Sequence, residues 1–495
     1  MICLPPTLRP RWTWRYILGA TGATYLLYCF LFASPLFSSR LPQYTGPYAV
    51  GAIDLEAPVA EPRRAHDARF KHNDKPAFQV ETVLFTIYYP TTQGTISTKP
   101  HHLWVPRPLG LVGAGYARFA HISNIVTDSL FTFGLWALVG RTEIPAQVDV
   151  PLHGSGSVVS MSVQTPGGTA QSTSTASDGF PVMVFSHGFA SSRTQYTQYL
   201  GELASRGFVV AALEHRDGSG PGSIIMKRGS EDEDRVMFAL RHLQDGSGLD
   251  AETFKQAQLD FRQIEIEETV RVLRHINEGK GDQIFAGNPR GEGRELKLWR
   301  GRLGIDNATI GGHSFGATLA LQTLKDGPSP ALPFGGAVVL DPGKSSGRLN
   351  DDVRVPALVV HSNSWSRKRS IFFGRPHFDV VKDVVQGIMA RGKDAWFLTS
   401  LGTSHPSVTD APVIEPFLLS WTTGSTIDAH EGVRQYVGVS ESFLRYQVTG
   451  EMTGLLDECV THPEYDVKAE GRVLSRIFRK YWQIHAAPCS EAKDD

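Results

Sequence analysis

The feature that most constrains this fold is a short segment in which an apolar run ends at the pattern Gly312-x-Ser314-x-Gly316 and a second apolar run begins. Glycine on each side of the serine lets two stretches of backbone approach where a Cβ atom would collide, so the pattern suits a sharp turn from a strand into a helix. A second match, centred on Ser345, is followed by polar residues that start a helix poorly. We therefore predict that Ser314 is an exposed nucleophile.

Short apolar runs alternate with helix-like stretches through the middle of the chain. Strands that alternate with helices predict a mostly parallel central sheet flanked by helices, and the turn at Ser314 then favours the α/β-hydrolase fold. We assign residues 41–485 to one catalytic domain and residues 486–495 to a flexible tail. The strand candidates are Pro181–Ser186, Phe208–Leu213, Ala337–Leu340 and Ala357–Val360, the clearest helix runs from Glu252 to Asn277, and the polar tract Gln164–Asp178 is typical of a surface loop.

A serine nucleophile needs a general base and an acid that orients the base, and in this fold they follow the serine in the order acid, then histidine. Asp341 ends the strand Ala337–Leu340, and His405 follows the strand-like Trp396–Leu401. Because the carboxyl ends of parallel strands meet at one edge of the sheet, we expect both side chains beside Ser314. The substitutes are Asp351 or Asp352 for the acid and His361 or His377 for the base.

Two backbone N–H groups are expected to stabilise the oxyanion that forms during acyl transfer. One belongs to Phe315, which follows the nucleophile. The other belongs to a loop after an earlier strand, and Phe189 occupies that place directly after Pro181–Ser186. The alternative for this second segment is an ordinary turn between a strand and a helix.

The N-terminal segment carries a targeting signal. Three arginines precede an uncharged stretch from Tyr16 to Ser39, which is long enough to span a bilayer that needs ~20 apolar residues. Basic residues before the stretch favour a cytoplasmic N-terminus. We predict that residues 1–40 form a cytoplasmic stub and a single-pass signal anchor, with a lumenal or extracellular catalytic domain. The alternative is a signal peptide whose cleavage gives a secreted protein.

Charge and residue patterns exclude some classes of function. The formal net charge is -1 and no basic stripe occurs, so we expect no nucleic-acid partner. The histidines are scattered without a zinc-binding spacing, so we expect no metal and no cofactor. Cys459 and Cys489 could pair in an oxidising compartment or remain free thiols.

Several segments together resemble the platelet-activating factor acetylhydrolases, the plasma-type and intracellular lipid esterases. The resemblance implies a calcium-independent serine esterase that removes a short or oxidised sn-2 acyl group from phospholipids. It also places the family's triad on Ser314, Asp341 and His405 and its oxyanion donors on Phe189 and Phe315. Two features depart from the family pattern: the N-terminal leader, and the sequence Gly316-Ala317-Thr318 after the serine, where a second glycine would be usual. The segments that carry the resemblance are Gly46–Gly51, Thr86–Pro90, Phe185–Phe189, Gly207–Ala212, Glu214–Asp217 and Gly312–Gly316.

Three readings of function remain at this point. The first is the phospholipid esterase, for which the apolar segment Ile122–Val139 would dock on lipid, as a comparable helix does in the family; an ordinary buried helix is the alternative for that segment. The second is a general short-chain carboxylesterase or polyester hydrolase on the same fold. The third is a catalytically inactive binding module on a hydrolase fold.

Overall fold

The computed structural model describes residues 13–31, 40–154, 179–246, 248–367, 370–465 and 480–489. The strands are β1 Ala49–Arg69, β2 Pro76–Thr91, β3 Gln147–Val148, β4 Phe180–Ser186, β5 Val209–Glu214, β6 Gly222–Ile225, β7 Glu233–Val236, β8 Leu303–His313, β9 Phe334–Leu340, β10 Ala357–Ser362, β11 Ile371–Phe372, β12 Arg375–Pro376, β13 Ala395–Ser400 and β14 Trp482–Ala486. The helices are α1 Trp14–Leu31, α2 Leu109–Phe119, α3 Ile125–Val139, α4 Thr197–Ala204, α5 Ala251–Asn277, α6 Gly281–Gly287, α7 Phe315–Thr323, α8 Asn363–Arg367, α9 His377–Ala390, α10 Ala411–Ile414, α11 Pro416–Thr423 and α12 Ala429–Thr449.

One large sheet organises the described part of the chain. Its ten strands lie in the order β14-β13-β10-β9-β8-β4-β5-β2-β1-β3. The six strands from β13 to β5 are parallel to one another. Strand β14 pairs antiparallel with β13, β2 pairs antiparallel with β5, and β1 pairs antiparallel with β2. This confirms the predicted α/β architecture with a mostly parallel central sheet.

The central strands are apolar throughout because helices cover both of their faces. One face of the sheet packs against α5, α7 and α9, and the other face packs against α4 and α12. Helix α5 buries Leu259, Ile266, Val270 and Leu273 at helical spacing. Side chains on α12, including Tyr436 and Phe443, fill the opposite side. The four predicted central strands and the predicted helix are therefore confirmed.

The structure differs from the prediction at both ends of the chain. The N-terminal uncharged stretch forms α1 as far as Leu31, and residues 32–39 lie outside the described part. None of the helices within the described ranges is long and apolar enough to cross a membrane. The predicted signal anchor is therefore not shown. The predicted loop Gln164–Asp178 also lies outside the described residues.

Residues 480–489, near the C-terminus, are part of the fold. Strand β14 pairs antiparallel with β13, so Ala486, at which we expected a flexible tail to begin, pairs instead with Phe397. Cys459 and Cys489, whose Cα atoms lie 5.2 Å apart, form a disulfide. The sequence missed this strand because a short run of mixed polarity at the edge of a sheet carries little periodic signal. Residues 490–495 lie outside the described part.

Candidate active site

Ser314 occupies a strained turn between β8 and α7. Its backbone lies at φ 56° and ψ -117°, a conformation that serves to expose a side chain at a functional site. A Cβ atom on Gly312 would lie 2.1 Å from the carbonyl oxygen of Gly316, and one on Gly316 would lie 2.0 Å from that of Ser186. The turn therefore requires glycine at both positions, as the sequence pattern predicts.

Ser314, His405 and Asp341 form a continuous chain of hydrogen bonds, which we call the outer triad. His405 Nε2 lies 3.1 Å from Ser314 Oγ, and His405 Nδ1 lies 2.8 Å from Asp341 Oδ2. The carboxylate accepts a hydrogen bond from Nδ1–H, so the lone pair of Nε2 faces the serine hydroxyl. This is the tautomer that a general base needs. The structure thus brings together the three side chains that the sequence singled out.

Asp341 is held from a neighbouring strand by a residue that the sequence did not single out. Asp341 is buried at the end of β9, and its carboxylate accepts bonds from Ser362 N–H and Ser362 O–H, both 2.6 Å long. Ser362 ends β10, which lies beside β9 in the sheet. The sequence signal that could have identified Ser362 is its position just after the predicted parallel strand Ala357–Val360.

The loop that carries His405 is fixed by a buried carboxyl five residues later. Asp410 accepts bonds from Thr197 N–H and Gln198 N–H, each 2.8 Å long, at the start of α4, and from Trp104 Nε1 at 3.0 Å. These donors favour the charged form, but burial raises the pKa of Asp410 to about 6. The end of the His405 loop is therefore attached to the N-terminus of α4.

The two expected oxyanion donors flank Ser314. A Cβ atom on Gly188 would lie 3.1 Å from Ser314 Cβ, so the backbone that leads into Phe189 passes directly beside the nucleophile. Phe315 is the first residue of α7, where a helix leaves its N–H groups without partners inside the helix. His187 shapes the first loop, because its Nε2 accepts the His215 N–H at 3.1 Å and its Nδ1–H donates to Gly188 O at 2.7 Å.

A second serine–histidine–carboxylate chain lies behind this loop, and we call it the inner triad. Ser186 Oγ is 2.8 Å from His215 Nε2, and His215 Nδ1 is 2.6 Å from Glu265 Oε2. Burial, reinforced by the charge of Arg262, lowers the pKa of His215 well below its usual range. Burial raises the pKa of Glu265 well above its usual range. In both groups, burial thus disfavours the charged form.

Arg262 on α5 connects the inner triad to the oxyanion side of the site. It donates to the carbonyl oxygen of His187 at 2.8 Å, and its guanidinium carbon lies 4.3 Å from the centre of the Phe315 ring. Its charge is balanced by Asp217 at 2.8 Å, and neither side chain of this ion pair is exposed. The segment Glu214–Asp217, which carried part of the family resemblance, thus supports the oxyanion loop from behind.

The rival candidates lie elsewhere. Ser345 lies in an exposed turn that no helix follows. Asp352 makes a surface ion pair with Arg354, and Asp351 is exposed. His361 is buried with its Nδ1 on Ser366 Oγ at 3.2 Å. Burial lowers the pKa of His377 to about 3.

One cluster of possible metal ligands occurs among the described residues, and it overlaps the outer triad. Candidate ligand atoms of His313, Asp341 and His405 all lie within 4.8 Å of one another. Asp341 already accepts two bonds from Ser362 and one from His405, while His313 Nδ1 contacts Tyr196 OH at 2.9 Å. These side chains fit mutual hydrogen bonding and the orientation of His405 better than they fit ligation of a cation.

Comparisons with known proteins agree with the fold and with the earlier resemblance. The family model of platelet-activating factor acetylhydrolase, isoform II, matches residues 155–452. Platelet-activating factor acetylhydrolase of the dog, Canis lupus familiaris, is 26% identical over 297 residues, which are 59% of this chain and 54% of the dog protein. That of the guinea pig, Cavia porcellus, is 24% identical over 289 residues, which are 58% and 53% of the two chains.

The chain spans about half the length of these curated relatives. A solved structure of a ferulic acid esterase from Streptomyces cinnamoneus superposes with a TM-score of 0.50 and 16% identity, over 85% of this chain and 96% of that one. At that identity the likeness supports the fold alone. The family model, in contrast, covers more than half of the chain and contains the whole outer triad, so this chain belongs to the platelet-activating factor acetylhydrolase, isoform II, family.

Proposed function

We propose that this protein is a calcium-independent serine esterase that hydrolyses the short or oxidised sn-2 acyl ester of phospholipids such as platelet-activating factor. The observation that carries the proposal is the outer triad, in which a strained serine, a half-exposed histidine and a buried aspartate are joined by hydrogen bonds of 3.1 and 2.8 Å. Family membership supports the phospholipid substrate.

The proposed reaction has two steps. His405 Nε2 takes the proton of Ser314 as Oγ attacks the sn-2 carbonyl carbon, and the N–H groups of Phe189 and Phe315 stabilise the oxyanion. The intermediate collapses when the ester C–O bond breaks, and His405 gives its proton to the departing lysophospholipid oxygen. Water then attacks the acyl-serine, His405 accepts one of its protons, and the free carboxylic acid leaves as Ser314 regains its hydroxyl.

Substrate class is tested with a series of phosphatidylcholines whose sn-2 chain lengthens from acetyl to palmitoyl, beside a p-nitrophenyl ester. We expect kcat/KM to fall steeply with sn-2 length and to be unchanged by EDTA. Equal rates for short and long chains, or loss of activity in EDTA, would contradict the proposal. Activity on the p-nitrophenyl ester alone would point instead to a general carboxylesterase.

Helix α3 supplies the proposed contact with lipid. Its apolar side chains face outward, with Phe133 61% and Trp136 50% exposed. Aromatic rings form a series from the end of α2 to the residue after Ser314. The ring centre of Phe119 lies 6.0 Å from that of Phe189, which in turn lies 6.4 Å from that of Phe315. An exposed apolar face on α3, which packs against α2, suits a phospholipid surface that presents its substrate to Ser314.

The lipid contact is tested by comparing vesicle-borne phospholipid with a soluble p-nitrophenyl ester. The double variant Phe133→Ser and Trp136→Ser should lower activity on vesicles about tenfold, because each exposed aromatic side chain would otherwise bury in the interface. Activity on the soluble ester should stay unchanged. Val448→Ser, which removes an exposed apolar side chain on α12, is the control. An equal loss on both substrates would contradict the docking role.

A further inference from the structure

An aromatic side chain that belongs neither to the outer triad nor to the oxyanion loop lies flat against the proposed base. The indole ring of Trp365 stacks on the imidazole of His405, with the ring centres 3.9 Å apart and the planes inclined by 10°. Trp365 lies on α8, which directly follows β10. The face of an indole ring carries negative charge density that attracts a cation.

Several contacts fix the indole in this position. Its Nε1–H donates to Pro342 O at 3.0 Å, in the turn that follows Asp341. Its backbone N–H contacts Ser362 Oγ at 3.3 Å, the hydroxyl that also bonds Asp341. On the same short helix, Ser364 Oγ accepts the His405 N–H at 3.0 Å. Helix α8 thus contacts the acid and the base at once.

The other groups around His405 leave the indole as a distinct influence on its charge. At the end of β8, the ring centre of His313 lies 4.5 Å from that of His405. Burial lowers the pKa of His313 well below its usual range. Lys344 Nζ lies 4.6 Å from the centre of the indole ring. Within the described part of the chain, the titratable and charged groups around His405, Asp341 and the indole are Lys344 in the turn after Asp341, His313 at the end of β8, His361 on β10, His377 on α9 and Tyr436 on α12.

We propose that Trp365 is a positioning residue for the esterase reaction: its stacked indole holds the His405 ring in the plane that joins Ser314 to Asp341 and stabilises the imidazolium that forms during acyl transfer. This inference rests on the proposed function, because it assigns Trp365 a role through His405. The indole acts on the charged form of the base, so its effect differs from that of simple packing.

The test uses kcat/KM for p-nitrophenyl acetate between pH 4.5 and 9, because this soluble ester removes any contribution of lipid docking. Loss of the indole makes the imidazolium less stable, so the neutral, active base persists to lower pH. Trp365→Leu should therefore move the acidic limb of the profile about half to one pH unit lower and reduce the plateau about three- to tenfold. Trp365→Phe keeps an aromatic face, so its acidic limb should lie between those of Trp365→Leu and the unsubstituted protein.

The matched control is Trp421→Leu, which removes an indole that is 80% exposed on α11 and should leave both the limb and the plateau unchanged. An acidic limb that stays in place in both Trp365 variants, or that moves to higher pH, would overturn the inference even if the plateau falls. If Trp365→Leu does not fold, the position of the acidic limb in Trp365→Phe alone tests the inference: a shift to lower pH supports it, and an unchanged limb overturns it.

The same assay separates this inference from the proposed function. Ser314→Ala and His405→Ala should abolish hydrolysis. If either variant retains the activity of the unsubstituted protein, the esterase proposal itself fails. If both variants are inactive and the acidic limb of the profile does not move in the Trp365 variants, the esterase proposal is supported and only the proposed role of the indole is contradicted.

Discussion

The outer and inner triads show the same order of groups in two environments. The outer triad has hydrogen bonds of 3.1 and 2.8 Å, and the inner triad has bonds of 2.8 and 2.6 Å. By hydrogen-bond length alone the inner set is the better formed. However, the side chain of His405 is 29% exposed, while that of His215 is fully buried. Ser314 lies in a strained turn, whereas Ser186 ends a regular strand.

This comparison shows that hydrogen-bond order does not by itself identify a nucleophile. Ser186 lies in the interior, and no route for a substrate carbonyl opens beside it among the described residues. Burial raises the pKa of Glu265 and lowers the pKa of His215, so the interior disfavours the imidazolium–carboxylate pair that a serine hydrolase uses. Exposure and backbone strain therefore distinguish the outer triad, while the inner triad fits a supporting role for the oxyanion loop.

The two serines give the largest expected difference. Ser314→Ala should lower kcat for a short-chain ester by about 10⁶, because it removes the attacking oxygen. Ser186→Ala should keep kcat within about tenfold and lower the free energy of unfolding by about 1–2 kcal/mol through the lost buried hydrogen bond. Steady-state kinetics and urea denaturation measure both effects.

A fluorophosphonate probe supplies an independent check on the serines. Mass spectrometry of the labelled protein should place the adduct on the peptide that contains Ser314 and leave the Ser186 peptide unmodified. Labelling of Ser186 in the folded protein, or equal losses of activity in the two alanine variants, would remove the distinction between the triads.

The two carboxyl groups give the next largest difference. Asp341→Asn should lower kcat by about 10⁴, because an amide cannot favour the Nδ1–H tautomer or stabilise the imidazolium. Glu265→Gln keeps the size of a side chain that bonds His215 and not the outer triad, so it should leave kcat nearly unchanged and alter the free energy of unfolding by about 1 kcal/mol. Kinetics at pH 8 with circular dichroism as the folding control test the pair, and a large kinetic effect of Glu265→Gln would show that the inner triad takes part in the chemistry.

A smaller effect than these two kinetic losses concerns the stability contribution of Asp410, the buried carboxyl group at the end of the His405 loop. Its pKa of about 6 in the folded protein exceeds the value of roughly 3.9 for an unfolded aspartate, so the folded state holds the proton more tightly. The contribution of Asp410 to stability is therefore greatest below pH 4 and falls as the pH rises to 6, by as much as ~3 kcal/mol. Urea denaturation between pH 4 and 8 should show a larger decline for the unsubstituted protein than for Asp410→Asn, and parallel curves would contradict the assignment.

The sequence was sufficient for the outer triad because each member follows a strand that could be recognised. The parallel strands β8, β9 and β13 end at one edge of the sheet, so their positions along the chain determine which side chains meet. Asp341 and His405 were found in this way although 64 residues separate them. Phe189 was located by the same reasoning, since β4 ends at that edge.

Residues that act through long-range contacts could not be found from the sequence. Arg262 lies on the buried face of α5, where an apolar stripe gives no sign that a charge meets Asp217 and the Phe315 ring. Trp365 follows a strand, but the stacking of its ring depends on the short helix α8, which carries no helical period. The long hairpin of β1 and β2 was also missed, because its strands lack a regular alternation of polar and apolar residues.

Strand β14 has a consequence for the order in which the molecule is built. It completes the edge of β13, and Leu401, at the start of the segment that carries His405, donates its N–H to Tyr481 O at 2.7 Å. At ~5–20 residues per second, a ribosome needs roughly 4–16 s to travel from His405 to Ala486. During that interval the nucleophile and the acid can already be in place while the strand that leads to the base has an open edge. The C-terminal strand is therefore synthesised after all three members of the outer triad, and only then can the edge of β13 that leads towards His405 be paired.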